Sequence, residues 1–273
     1  MGALPRSRGH VDKATTGLEG AQVTPPNVAR ELVRVLPRNN QPTVAILLSV
    51  FNGEPFLGAQ LYSFRAQTHH DWILYWRDDG SSDASQRLVS EFAEHAGERR
   101  CVFSAGGGCR QITRSFLYLL RTARGGPARY FAFSDQDDVW LPEKLARGIA
   151  ALEGVPAGQP ALYCARRIVV DAALQSTGEP GPLRRRPGFP AALTQNIAPG
   201  CTMMLNRAAA ELVLASEPID TFWHDWWCYV IVAAAGGHIL ADPVATVLYR
   251  QHAKNRVGEP RNFWHRGAAG LRR

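Results

Sequence analysis

The sequence predicts a single α/β domain built on a doubly wound, mostly parallel central sheet flanked by helices. Three observations predict it. Short, uninterrupted apolar runs recur along the chain, as expected of strands covered on both faces. Segments with apolar residues at helical spacing separate these runs, which is the alternation of a parallel sheet with crossover helices. Two of the runs end at acidic turns, where the carboxyl ends of such strands present ligands to solvent.

Thr43 to Val50 is the first run and ends at Asn52-Gly53. Pro55 follows at an early helical position, where its missing N–H is tolerated, and Phe56, Leu57, Leu61 and Phe64 share one face of a helix reaching Gln67. Trp72 to Trp76 is the second strand and runs into Asp78-Asp79-Gly80-Ser81-Ser82-Asp83. Leu88, Val89 and Phe92 mark a helix from Ala84 to about His95. Cys101 to Phe103 reads as a short strand, Gly106-Gly107-Gly108 as a flexible link and Ile112 to Ala123 as a helix. Tyr130 to Phe133 is the fourth strand and stops at Asp135-Gln136-Asp137-Asp138.

Beyond Leu152 the periodicity loosens. Ala161 to Val170 reads as strand, Gly178 to Pro190 as an irregular loop rich in Pro, Gly and Arg, and Ala198 to Leu205 as a turn entering a short strand. Arg207 to Ala215 and about His224 to Ala235 read as helices, and Ala245 to Arg250 as a last strand. Residues 1–41 lack periodicity and are expected to form a flexible leader, although Val28 to Leu36 has the makings of a short helix.

A composition of 45% hydrophobic and 20% charged residues excludes disorder through most of the chain. The net charge is +7, and its placement is uneven. Arg250, Lys254, Arg256, Arg261, Arg266, Arg272 and Arg273 face one acid, Glu259, and Arg184-Arg185-Arg186 forms a second basic run. Such charge can meet an anionic membrane surface, phosphorylated ligands or nucleic acid, or be plain solvated surface. The five cysteines are scattered, without metal-ligand spacing, and read as reduced thiols of a cytoplasmic protein. No signal-peptide core and no apolar stretch of about 18 residues is present, so a soluble or peripheral protein is expected.

The acids at the strand ends carry the chemistry. Asp135 to Asp138 lies where a buried strand meets solvent, and magnesium or manganese prefers carboxylate oxygens and completes its shell with ligand phosphates. The alternative is a solvated acidic turn or a cap for the next helix. Within Asp78 to Asp83 a carboxylate can accept hydrogen bonds from a nucleobase or ribose, while Gly80 permits close backbone approach; the same residues are also ordinary turn formers.

Three landmarks in order, Val44 to Gly53, Asp78 to Asp83, and Phe133 to Pro142, resemble those of the family 2 inverting glycosyltransferases. Three later segments, Pro199 to Arg207, His224-Asp225-Trp226-Trp227, and Tyr249 to Asn255, are similar to the rhamnosyltransferase-like branch that builds bacterial surface polysaccharides. The resemblance covers about Thr43 to Gly258. It implies a nucleotide-diphospho-sugar transferase fold of the GT-A type, with 42–258 as the catalytic domain and 259–273 as a basic tail.

By resemblance, Ser49 and Asp79 would contact the nucleobase, Asp135 the ribose, and Asp137 a divalent cation, Mg2+ or Mn2+. Asp225 would be the general base that deprotonates the acceptor hydroxyl; its other reading is an acid favoured by a helix N-terminus. Trp226 would wall the donor or acceptor pocket, whereas Trp227 reads as core. His252 would reach the metal or diphosphate, or lie on the surface. Arg250 would bind the diphosphate, or be solvated. Two positions depart from the family: Phe51 stands where Tyr is common, and Ser115 where Asn is frequent, which puts donor contacts there in doubt.

The implied function is metal-dependent transfer of a sugar, plausibly L-rhamnose from dTDP-rhamnose, to a hydroxyl of a surface glycan or lipid-linked acceptor. It would take place in the cytoplasm or on the inner face of the membrane. The competing reading is a nucleotide-binding regulatory protein that keeps the fold without turnover. No nucleic-acid partner is expected.

Overall fold

The structure is a computed structural model that describes residues 43–97, 100–105, 111–178, 186–218, 223–253 and 255. The leader, the basic tail, Gly106 to Gly108, Arg184-Arg185 and Lys254 therefore lie outside the described residues. All described residues belong to one compact unit.

Strands β1 (Val44–Val50), β2 (Trp72–Asp78), β3 (Cys101–Phe103) and β4 (Tyr130–Ser134) pair in parallel in the order β3-β2-β1-β4. Helices α1 (Glu54–Arg65), α2 (Ser85–Ala96) and α3 (Ile112–Arg124) connect them. The strand order turns round between β1 and β4, which opens a crevice at their carboxyl ends. The sheet then continues as β8 (Met204–Asn206), β6 (Ala161–Val170), β9 (His238–Arg250) and β5 (Val139–Trp140), while β7 (Ser176–Gly178) pairs with β6. In this half β6 and β9 are parallel, whereas β8, β5 and β7 run antiparallel to their neighbours.

The apolar runs are continuous because both sheet faces are covered. Ala45 and Leu47 of β1 pack with Phe116, Leu119 and Leu120 of α3, and Val44, Ile46 and Leu48 pack with Leu57, Leu61 and Phe64 of α1. This is the period of two expected of a strand, with no solvent-facing side. Helix α4 (Lys144–Glu153) joins the α1 face through Leu145, Ile149 and Leu152. Helices α5 (Arg207–Leu214) and α6 (His224–Ala234) join the α3 face. Buried Gln67 links the end of α1 to the start of α4, accepting from Leu145 N–H at 3.1 Å and donating to Leu141 O at 2.9 Å.

The main departure from the sequence reading is β9, which begins at His238 rather than Ala245. The strand passes through Asp242-Pro243 by shifting register against β6 near Ala165 and Arg166. Asp242 is pinned there by Arg147, at 2.8 and 2.9 Å, and by the Tyr163 hydroxyl at 2.8 Å. None of the described helices is long and apolar enough to cross a membrane, and the four described cysteines are free thiols.

Candidate functional site

The carboxyl ends of β1, β2 and β4, the first turn of α6 and the segment after β9 surround a cavity of about 760 Å³. On the β2 side the wall is Asp79, buried and ion-paired to Arg77 at 2.7 Å. The two residues lie two apart, so the strand period puts both on one face. Arg77 occupies Asp79 Oδ1, and the hydroxyls of Ser49 (3.2 Å) and Ser115 donate to Oδ2. Every charge in this group is matched, which is the condition under which a buried ion pair is tolerated. Asp78 points elsewhere: its Oδ2 accepts the N–H groups of Gly80 and Ser81 at 2.9 Å and shapes the turn.

The β4 side is built differently. Gln136 clasps the backbone after β1, accepting from Phe51 N–H at 2.8 Å and donating to Phe51 O at 2.9 Å. A methyl on neighbouring Gly53 would meet this amide at 2.4 Å, so the close approach requires glycine. Asp135 and Asp137 line the cavity. Burial, then the charges of Asp138, Asp137 and Asp225, raise the Asp135 carboxyl well above its usual range. Asp137 Oδ2 faces His252 Nε2 at 2.8 Å, and the His252 ring leans on Phe56 with centroids 4.6 Å apart.

Asp138 is buried behind this wall and does not line it. Its Oδ1 accepts Arg250 N–H at 3.0 Å, and burial followed by the Asp137 charge pushes its pKa up to about 7. Asp135, Asp138 and Cys201 offer ligand atoms within 4.8 Å of one another. The Cys201 thiol is held protonated by burial, and the cations Lys144 and Arg167 bear on it and on Asp138, which disfavours a dication at that spot. Asp137 and His252 instead present oxygen and nitrogen donors on the cavity wall, a set that suits Mn2+ or Mg2+ better than a thiol-containing one.

Asp225, in the first turn of α6, lines the same cavity. Gly200 N–H donates to its Oδ2 at 3.0 Å and Trp226 N–H to its Oδ1 at 2.7 Å, so the carboxylate is held by both oxygens. Trp226 lines the cavity with its indole N–H on Ala192 O at 2.7 Å. Trp227 is buried against the core.

Ser49, Asp79, Asp135, Asp137, Asp225, Trp226 and His252 thus share one cavity. Arg250 does not line it; its guanidinium donates to Asp137 O at 2.7 Å and to Ala172 O and stacks over Phe56, bracing the acidic turn from behind. Four contributors went unassigned in the sequence. Arg77 and Arg167 were signalled only by charges inside apolar strands, Gln136 by an amide inside an acidic cluster, and His224 by adjacency to Asp225.

A family model described as "Glycosyl transferase family 2" matches residues 45–213. The chain belongs to glycosyl transferase family 2. It is thereby a glycosyltransferase by family, and its α/β architecture agrees. The chain is 25% identical to dTDP-rhamnosyl transferase RfbG of Shigella flexneri over 231 residues, covering 79% of this chain and 75% of the relative. It is 26% identical to the uncharacterized protein Rv1520 of Mycobacterium tuberculosis, covering 84% and 65%.

Among solved structures, S. aureus TarS 1-349 in complex with UDP-GlcNAc aligns with a TM-score of 0.58 at 13% identity over 78% of this chain. Mannosyltransferase PcManGT from Pyrobaculum calidifontis, in complex with GDP-Man and Mn2+, aligns with a TM-score of 0.58 at 16% identity over 80%. These likenesses show the shared GT-A-like fold. The chain spans about 60% of the length of each of these two structures.

Proposed function

We propose that the protein is an inverting, metal-dependent glycosyltransferase that moves a sugar from a nucleoside-diphosphate donor to an acceptor hydroxyl, with Asp225 as general base. The observation that carries the reading is that Asp225 lines one cavity with Asp135 and Asp137, its carboxylate oriented by two main-chain N–H groups. Each carboxylate oxygen keeps a lone pair for an acceptor hydroxyl. Asp225 takes that proton as the acceptor oxygen bonds to the anomeric carbon and the carbon–oxygen bond to the diphosphate breaks. Attack from the face opposite the leaving group inverts the configuration.

Ser49 and Asp79 hold the base end of the donor and Asp135 the ribose. Asp137 and His252 are the residues to hold a divalent cation, which when bound supplies neutralisation of the charge gathering on the diphosphate. Trp226 walls the sugar region. L-rhamnose from dTDP-rhamnose is the donor supported by the likeness to the Shigella enzyme, and a bacterial surface glycan or its lipid-linked precursor is the matching acceptor. The basic run 254–273 suits peripheral contact with anionic lipid on the cytoplasmic face.

A panel of nucleotide sugars, with and without Mn2+ or Mg2+, scored by thermal stabilisation and donor turnover, tests this. Metal-dependent stabilisation with turnover of dTDP-rhamnose is expected, and Asp225→Asn should keep stabilisation while losing transfer by about 10²–10⁴-fold. Stabilisation without any turnover by the wild type favours the regulatory reading, and no stabilisation by any nucleotide discards both.

A further inference from the structure

His224 precedes Asp225 and is almost completely buried although it touches the cavity. Its ring stacks on Phe116 with centroids 4.0 Å apart and lies 5.2 Å from Phe133. Neither ring nitrogen has a hydrogen-bond partner among the described residues. Leaving such atoms unpaired in the interior costs free energy, so the site keeps this ring in spite of its polarity. What the ring does there is spatial. A methyl added at Gly200 would sit 2.7 Å from His224 Nε2 and 3.2 Å from Cε1, so the ring fills the space beside the Gly200 main chain. Gly200 N–H is the group that donates to Asp225 Oδ2.

The stack also ties the two sides of the site together. Phe133 is two residues before Asp135 on β4, on the same strand face by the period of two. His224 is one residue before Asp225 on α6. The column Phe133, Phe116, His224 therefore sets how far the first turn of α6 stands from the acids of β4.

From this geometry we infer that His224 and Gly200 form a positioning unit for Asp225: the imidazole, wedged between the edge-to-face Phe116–Phe133 pair and the bare Gly200 Cα, fixes the N–H that orients the carboxylate. His224 does not itself carry the proton. Burial holds its imidazole neutral, with the pKa pushed down to about 4, so it lacks the affinity for a proton that a relay near neutral pH requires. The inference rests on the role of Asp225 proposed above.

The test uses the full chain with Mn2+ and the donor that the wild type turns over, reading kcat, donor KM and the affinity for the nucleoside diphosphate alone. Gly200→Ala pushes the turn off the ring and should lower kcat about tenfold or more, the scale of one hydrogen bond to a charged group. Donor KM and nucleoside-diphosphate affinity should stay within about twofold, because Asp79 and Asp137 are untouched. His224→Ala should behave likewise, whereas His224→Phe keeps the stack and the volume and should retain kcat within about threefold. The double variant Gly200→Ala with His224→Ala relieves the clash and should lose less than the product of the single losses.

Wild-type kcat in Gly200→Ala would overturn the inference, as would a parallel fall of kcat and nucleoside-diphosphate affinity, which marks general loss of packing. A His224→Phe variant as slow as His224→Ala would overturn it too, because the nitrogens and not the wedge would then matter. If the wild type turns over no donor, the proposed function falls and this inference with it.

Discussion

The acidic groups at the ends of β2 and β4 look alike in the sequence and are opposite in construction. At the β2 end one acid, Asp79, reaches the cavity, and the protein neutralises it internally: Arg77 takes one oxygen and two serine hydroxyls the other. At the β4 end Asp135 and Asp137 face the cavity with Asp138 behind them; burial and the Asp138 charge push Asp135 towards protonation, and burial and the Asp137 charge push Asp138 the same way. The first group is internally satisfied, with both Asp79 oxygens already accepting from Arg77, Ser49 and Ser115, and it calls for no outside cation. The second carries an excess of negative charge that an external cation would relieve. Composition alone could not separate them, because the difference lies in what stands around the acids.

The largest test of this contrast is Asp137→Ala. If the β4 end is the cation site, the variant should lose the Mn2+-dependent part of the thermal stabilisation by a nucleoside diphosphate, and donor turnover should fall on the order of 10³-fold. Its metal-free melting temperature should change little, since the charge that repels Asp135 and Asp138 goes together with the contact to His252. An unchanged Mn2+ response would place the cation elsewhere. The mirror experiment is Asp79→Ala, whose cost should appear in stability without metal. Removing one partner leaves the buried Arg77 guanidinium without its carboxylate, worth about 3–5 kcal/mol by chemical denaturation. Asp78→Ala, next along the chain, removes turn contacts and one exposed bond from Gln86, and should cost about 1 kcal/mol.

A smaller test uses pH. The folded-state pKa of Asp138 is raised to about 7, above an unfolded value of about 4. Its contribution to stability is therefore fully present below about pH 4 and lost as pH rises through about 7. Buried His224 works in the other direction: its folded pKa is lowered to about 4, so its contribution is present above about 6.5 and lost as pH falls. The raw profile mixes the two. The stability of the wild type minus that of Asp138→Asn, measured in EDTA, isolates the carboxylate and should decline from pH 4 to pH 7. A flat difference would mean that Lys144 and Arg167 already neutralise Asp138.

The parallel half of the fold was legible because its information is local. β1 to β4 and the helices between them follow from apolar periodicity, Pro55 at a helix start and Gly or Asp at strand ends, all within a few residues. The other half depends on pairings far apart in sequence. The N-terminal part of β9 contains Asp242-Pro243, which locally disfavours a strand, and pairing with β6 together with Arg147 and Tyr163 on Asp242, all about 75 or more residues away, holds it extended. The site divides the same way. Asp135, Asp137 and Asp79 are visible as acids at predicted strand ends, and Asp225 only through family likeness. The setting of Arg250 is not legible in the sequence, because nothing local shows that its guanidinium turns to Asp137 O and Ala172 O.

Ser115 carries the smallest and most specific prediction. It stands where the family often has Asn, and the sequence left donor contacts there in doubt. In the structure its hydroxyl is fully buried and donates to Asp79 Oδ2, the oxygen that Ser49 also serves. Ser115→Ala removes one of two hydroxyl donors and leaves Arg77 on the other oxygen, so the ion pair and the fold should survive. The loss should be about 1 kcal/mol in nucleoside-diphosphate affinity, or roughly fivefold in Kd by calorimetry, with kcat at saturating donor unchanged. Ser115→Asn introduces the family's amide into the same space and tests whether the pocket tolerates it. Wild-type affinity in Ser115→Ala would mean that Ser49 and Arg77 alone orient Asp79. A fall in kcat instead would tie α3 to the Asp225 side of the site, through Phe116 and His224, more closely than to the nucleotide side.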